Sequence, residues 1–239
     1  MKNSLIQWTH HTFNPWIGCT KVAPECKNCY AEEQQDHRYG RVKWGKNHPR
    51  YRTSVNYWKQ PFSWNKDANG SRPRVFCASL ADVFDEEVSD SWRDDLFDLI
   101  QQTSNLDWLL LTKRPDYIPT YLGIRSLPSN VWLGVSAGVN PKSAISTAAT
   151  IHFMSFEPML SPMIGCEGLD WIIFGGESGN HARFCDPDWI REGITFCRSL
   201  GIAPFVKQLG SNCGLRLKHS HGGDMNEWPL DLRIREFPV

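Results

Sequence analysis

Six short apolar runs that stop abruptly at polar residues constrain this chain more than any other feature: "RVFCASLAD", "DWLLLTKRP", "VWLGVSAG", "IHFMSFEP", "WIIFGGESG" and "APFVKQLG". Unbroken apolar runs of this length read as strands buried on both faces of a parallel sheet, because a strand with one wet face would alternate. They begin near residues 75, 108, 131, 151, 171 and 203, and gaps of roughly 20 to 30 residues leave room for a crossover helix each time. With a first strand around "TFNPWIGC" there are seven β units. Seven units suit a partial or distorted (β/α) barrel better than the alternative, a doubly wound open sheet. In a barrel the functional groups gather at the carboxyl ends of the strands, where the polar residues of these runs stand.

Two linkers carry clear helix signals. Trp92, Leu96, Leu99 and Ile100 recur at helical spacing behind the candidate caps Ser89 and Asp90. Further on, Asp186 can cap, Pro187 takes the first helical position, Trp189, Ile190, Ile194 and Cys197 share a face, and Gly201 ends the helix. Residues 115–130 and 140–150 give weaker helical patterns.

At 239 residues and 41% hydrophobic composition the chain can bury a substantial core, and a single domain spanning 1–239 is expected, with an insertion at 38–74 and an irregular tail at 211–239. The apolar runs are far too short to span a bilayer, and the first residues lack the apolar core of an export signal, so a cytosolic protein without membrane contact is expected. In that compartment eight cysteines point to metal or cluster ligation before disulfides. Net charge is zero, but its distribution is not even. Residues 38–74 hold ten Lys or Arg against Asp67 alone, a net +9, and leave sixteen basic against twenty-five acidic residues elsewhere.

That segment also interleaves Tyr39, Trp44, Tyr51, Tyr57, Trp58, Phe62 and Trp64 with Arg41, Lys43, Lys46, Arg50, Arg52 and Lys59. Phosphate-neutralising charge mixed with stacking surfaces fits a nucleic-acid contact that does not read sequence. The other reading packs the aromatics onto the body of the protein and leaves the charges as a solvated face.

Cys19, Cys26 and Cys29 lie in the spacing C-x6-C-x2-C, on a loop that leaves the first strand and enters a helix near Tyr30. Structural zinc wants four protein ligands, usually as two close pairs, and the fourth is missing here. His10, His11 or a distant cysteine could complete such a site. Three thiolates suit a [4Fe–4S] cluster with one iron left open, because cubane clusters otherwise take four cysteines. S-adenosylmethionine (SAM) can chelate an open iron through its amino and carboxylate groups and then be cleaved to a 5′-deoxyadenosyl radical. Cys77, Cys166, Cys185, Cys197 and Cys213 form no close pair, and most read as small core hydrophobes. The histidines, including His219 and His221 in the tail, receive no catalytic role.

"GCTKVAPECKNCYAE", "LLTKRP", W-x-GVS, S-x-EP, "GGESG", KQ-x-G and "EWPLDLRIREFP" follow one another in this order over most of the chain. Together they resemble a phage and prophage family of unassigned function described as radical-SAM-like. The resemblance implies a radical SAM barrel, encoded by a phage or prophage and acting in the host cytoplasm. The usual motif of that superfamily is C-x3-C-x2-C with an aromatic just before the third cysteine. Here six residues replace three, Asn28 precedes Cys29, and Tyr30 follows it.

Radical SAM barrels hold the methionine carboxylate with a cation, the amino group with acceptors and the ribose with polar groups, all from strand ends. The resemblance carries those cofactor roles to Tyr30, Ser79, Asp82, Lys113, Arg114, Ser136, Ser155, Glu157, Gly175, Gly176, Glu177 and Ser178. "GGESG" resembles the Gly-Gly-Glu signature that binds the SAM amino group, though that signature normally follows the second strand. A tight turn for the glycines, a solvated turn for "KRP" and a helix-starting acid for Glu157 are the plainer readings. Lys207 and Gln208 end the last strand, where they could bind substrate or close the barrel.

The sequence therefore leads to a radical-SAM-type enzyme with a [4Fe–4S] cluster and SAM, an electron donor such as a flavodoxin, and a nucleotide or a base in DNA as substrate. Arg41, Lys43, Trp44, Lys46, Arg50, Arg52 and Trp58 would contact the nucleic acid. The competing expectation is a nucleic-acid-binding protein without catalysis and with a structural metal site.

Overall fold

The structure is a computed structural model and describes residues 1–123, 126–139 and 149–239. Seven strands form the main sheet: β1 (His11–Phe13), β4 (Arg74–Cys77), β5 (Asp107–Thr112), β6 (Val131–Ala137), β7 (Ile151–Phe156), β8 (Trp171–Gly175) and β9 (Ala203–Gln208). Two short strands, β2 (Trp16–Ile17) and β3 (Tyr51–Arg52), pair antiparallel beside it. The strand order is β1-β4-β5-β6-β7-β8-β9, and β1 pairs with β4, β4 with β5, β7 with β8 and β8 with β9 in parallel. Each strand of this sheet is added beside the previous one and the order never reverses. A doubly wound sheet must reverse at a switch point, so the fold is the expected α/β architecture of a partial (β/α) barrel, singly wound and open between β1 and β9.

The described connections include α1 (Tyr30–Glu32), which runs on as a π-helix to Arg38, then α2 (Val55–Trp58), α3 (Gln60–Asp67), α4 (Asp90–Gln102), α5 (Ile118–Leu122) and α6 (Pro187–Leu200). Helix α4 begins after Ser89 and buries Leu96, Leu99 and Ile100, as its periodicity predicts. The Asp186 side chain accepts from the Asp188 N–H at the start of α6, Pro187 follows the cap, and Gly201 closes the helix at φ +71°. The weaker pattern at 115–130 is realised as α5 and a preceding 3-10 turn. Most of the pattern at 140–150 lies outside the described residues. Residues 157–170, between β7 and β8, hold no helix, although the spacing leaves room for one. Cys166 and Leu169 of this connection pack into the core instead.

The chain divides into two compact units, Met1–Val22 with Cys29–Gly134 and Thr147–Thr150, and Ala23–Asn28 with Val135–Ser146 and Ile151–Val239. In the first, the basic segment contributes to the core: Trp64 is buried and stacks on His11 at 4.6 Å, and Phe13 meets Tyr57 face to face at 5.1 Å and Trp58 edge-on at 5.6 Å. In the second, the tail has little regular structure yet is fastened to β9. Val206 N–H donates to Ile234 O, Glu236 N–H to Pro204 O and Trp171 Nε1 to Glu236 O, while Trp228 and Leu232 are buried. Among the described residues no helix is long and apolar enough to cross a membrane.

Candidate functional site

The boundary between the two units runs through the cysteine loop, with Cys19 and Cys29 in the first and Cys26 in the second. None of the eight cysteines is in a disulfide. Cys19, Cys26 and Cys29 are half-buried, whereas Cys77, Cys166, Cys185, Cys197 and Cys213 are buried. Cys26 ends a 3-10 turn, and Cys29 caps the start of α1. Among the described residues no group of three or more His, Cys, Asp or Glu side chains is assembled to hold a metal ion. The three thiols nevertheless share one loop, and three sulfur donors are the ligand type that iron–sulfur clusters take. The histidines are engaged elsewhere: His11 Nδ1 accepts from Asn3 N–H, and His10 Nδ1 accepts from Arg74 N–H.

In the first unit the ends of β4 and β5 anchor the Cys19 arm. The chain leaves β4 through Ala78, which takes the left-handed conformation at φ +68°, one that residues with a Cβ adopt rarely. The Asn14 side chain holds the resulting turn, accepting from Leu80 N–H and bonding Ser79 Oγ. Asp82 then lies under the end of β5. Its carboxylate accepts from Thr112 Oγ1 at 2.7 Å, from Phe84 and Lys113 N–H at 2.9 Å, and pairs with Arg114 at 3.1 Å. Arg114 donates onward to Thr20 O at 2.8 Å and to Cys19 Sγ at 3.4 Å. Burial and Asp82 push the Cys19 thiol up to about 12 despite this arginine. Burial alone would lower the Arg114 pKa, but Asp82, Cys19 and Asp85 raise it, so the guanidinium stays charged. The exposed Tyr30 ring donates its hydroxyl to Ser79 O at 2.6 Å.

The second unit fastens the Cys26 arm with another charged pair. Glu177 follows β8 and is buried; it pairs with Arg183 at 2.5 Å and accepts from Arg183 N–H at 2.8 Å and Asn28 Nδ2 at 3.0 Å. Arg183 also donates to Pro24 O, and Asn28 to His181 O. Burial raises the Glu177 pKa, but the hydrogen bonds from Arg183 and Asn28 outweigh it and leave the group below the usual carboxylate range. The glycines before it serve close packing. A Cβ on Gly176 would stand 2.2 Å from Leu209 O, and one on Gly175 would press on the Glu157 side chain at 3.2 Å. Glu157 pairs with Lys207 at 2.5 Å, its carbonyl accepts from Ser136 Oγ, and Gln208 donates to Gly176 O. Ser155 is buried at the end of β7, and Ser178 is exposed.

The strand-end residues named from sequence therefore stand in the last residues of their strands or just after them, but several have protein partners. Asp82 and Arg114 hold the Cys19 arm and Glu177 the Cys26 arm, while Lys207 is tied to Glu157. The expected nucleic-acid contacts divide further. Arg50 is turned inward: its side chain is 1% exposed and pairs with Asp85 at 2.8 Å. Arg52 pairs with Asp95 and lies over Trp58 at 4.6 Å, so Trp58 carries a protein cation on its ring. Lys43 pairs with Asp36, Trp44 is half-buried, and Arg41 and Lys46 are exposed. Asn28, Arg183 and Thr20 were not singled out by sequence reasoning. Their proximity to the cysteines, or their position in the loop after "GGESG", is the sole signal they offer.

This is a singly wound α/β protein with three half-buried thiols on the loop after its first strand. The chain belongs to the family described as Protein of unknown function (DUF5131), which it matches over residues 3–231. Comparison with curated proteins gives no match. Among solved structures it is similar to a mutant of spore photoproduct lyase with bound AdoMet and dinucleoside spore photoproduct. Identity is 11% and the TM-score 0.47, over 92% of this chain and 61% of that one, so the present chain spans less than two thirds of its length.

Proposed function

We propose that this protein is a radical-SAM-type enzyme in which Cys19, Cys26 and Cys29 hold a [4Fe–4S] cluster and SAM is cleaved to abstract hydrogen from a nucleotide or a base in DNA. The observation that carries the reading is the division of the cysteines. The three with cluster-like spacing are half-buried on one loop, and the other five are buried. When bound, the cluster would supply the electron that cleaves the SAM sulfonium bond. The chain's own residues hold the loop: Arg114 and Asp82 fix the Cys19 arm, and Glu177, Arg183 and Asn28 fix the Cys26 arm. Lys113 and Ser136, at the ends of β5 and β6, are the proposed contacts for the methionine carboxylate and for the polar part of SAM. The nucleic-acid substrate rests on the basic segment and on the resemblance to a phage family. Arg41, Lys43 and Lys46 are its proposed phosphate contacts.

The test is turnover. Reconstituted, reduced protein incubated with SAM should release 5′-deoxyadenosine, slowly alone and faster with the right substrate, and Lys113→Ala should weaken SAM binding. Absence of 5′-deoxyadenosine with and without DNA, from protein that carries a full cluster, would leave the second reading, a nucleic-acid-binding protein with a structural metal. Exposed Arg41, which lies 4.7 Å over the exposed Tyr39 ring, is the observation that keeps that reading in view.

A further inference from the structure

Arg114 is 9% exposed, and its guanidinium is divided among four groups. Nη1 donates to Cys19 Sγ at 3.4 Å and pairs with Asp82 Oδ2 at 3.1 Å, while Nη2 donates to Thr20 O at 2.8 Å and faces Asp85 Oδ1 at 3.7 Å. Arg50 approaches the same place. It pairs with Asp85 at 2.8 Å and donates to Thr20 Oγ1 at 2.8 Å. Thr20 is thus held at its carbonyl by one buried arginine and at its hydroxyl by another. Buried Asp82 and Asp85 face the two cations, Glu87 adds a third carboxylate on Arg50 at 3.2 Å, and Arg114 reaches past them to the sulfur. Buried ion pairs recover little more than their desolvation cost, so a network of this size is poorly explained as a stabilising device. Its geometric product is a fixed Cys19 with an N–H aimed at Sγ.

We propose that Arg114 is a positioning residue for the cluster: it orients the Cys19 ligand and, by donating to its sulfur, raises the reduction potential. This rests on the reading of Cys19 as a cluster ligand. The physical reason is the neighbourhood. Hydrogen bonds to the ligating sulfur and nearby net charge are levers that set cluster potentials. Without Arg114 the thiolate would face Asp82 and Asp85, whose negative charge disfavours adding an electron.

The experiment uses the full chain, reconstituted anaerobically, as wild type, Arg114→Lys, Arg114→Gln and Arg50→Lys. Iron and sulfide content, melting temperature and the midpoint potential by redox titration are read on each. Both Arg114 variants should have a more negative midpoint potential, with Lys closer to wild type than Gln because it keeps the charge but loses the fork. Arg50→Lys should lower the melting temperature and leave the potential where it was, since Arg50 holds Thr20 without touching the sulfur. A wild-type potential in cluster-loaded Arg114 variants would overturn the proposal while leaving the cluster reading intact. An Arg50→Lys shift equal to that of Arg114→Gln would also overturn it, because loop position alone would then set the potential. Wild-type protein that takes up no iron would remove the cluster reading itself, and the proposal with it.

Discussion

The Glu177–Arg183 pair shows how a side chain's surroundings override its motif. Carboxylate and guanidinium meet at 2.5 Å, with the carboxylate side chain 6% and the arginine 25% exposed. Removing one partner of a fully buried pair costs about 3–5 kcal/mol, and partial exposure of Arg183 reduces the expectation for Glu177→Gln to about 1–3 kcal/mol. Because the folded carboxyl titrates below its unfolded value, this stabilisation is complete above the unfolded pKa and is lost as pH falls through the folded one. The difference in melting temperature between wild type and Glu177→Gln should therefore shrink in the acid range; a constant difference down to pH 3 would contradict the assignment. His11 acts in the same direction over a higher pH range. Burial, with the neighbouring positive charges, lowers its pKa to about 4, so the unfolded chain binds a proton first as pH falls below its ordinary range. Stability should decline between about pH 6.5 and 4 through this residue, and His11→Gln should flatten that part of a melting-temperature profile. An unchanged profile would place the acid sensitivity elsewhere.

Helix α6 allows two effects to be weighed against each other. Replacing Gly193 by Ala gains about 1 kcal/mol of helix propensity. The new Cβ would stand 2.5 Å from the Phe174 ring, and overpacking of a tight core contact costs typically 1–3 kcal/mol. Packing should win, so Gly193→Ala should lower the midpoint of a denaturant titration; a raised midpoint would mean the ring moves aside freely. The contact explains why an apolar helix face carries a glycine, which periodicity alone leaves unexplained. Elements of this kind show how far the sequence can be read. The strands were legible because a sheet buried on both faces writes itself as continuous apolar runs, and α6 because cap, proline and terminal glycine are local signals. The connection at 157–170 was not legible, since the spacing permits a helix without requiring one. At the site, the three cysteines were visible as a spacing. The partners of Arg50 and Arg114, and Asn28 beside Glu177, were not, because roughly 30 to 150 residues separate them in sequence.

For the molecule as a whole, a zero net charge conceals a +9 segment that is partly structural. Trp58 packs edge-on against Phe13 at 5.6 Å and lies under Arg52, so Trp58→Ala should lower thermal stability, and any loss of DNA affinity should follow that loss. Removing the charges of Arg41, Lys43 and Lys46 should instead flatten the salt dependence of DNA binding while leaving the melting temperature close to wild type. If folded wild type fails to bind DNA at low salt, the nucleic-acid part of the proposal ends. The central claim is narrower: the three half-buried thiols are cluster ligands. It is tested most directly by iron and acid-labile sulfide analysis of the anaerobically reconstituted chain, alongside the variant Cys26→Ala. About four irons and four sulfides per chain with broad visible absorption are expected, both largely lost in Cys26→Ala. One zinc per chain with no chromophore, or undiminished cluster in Cys26→Ala, would contradict it.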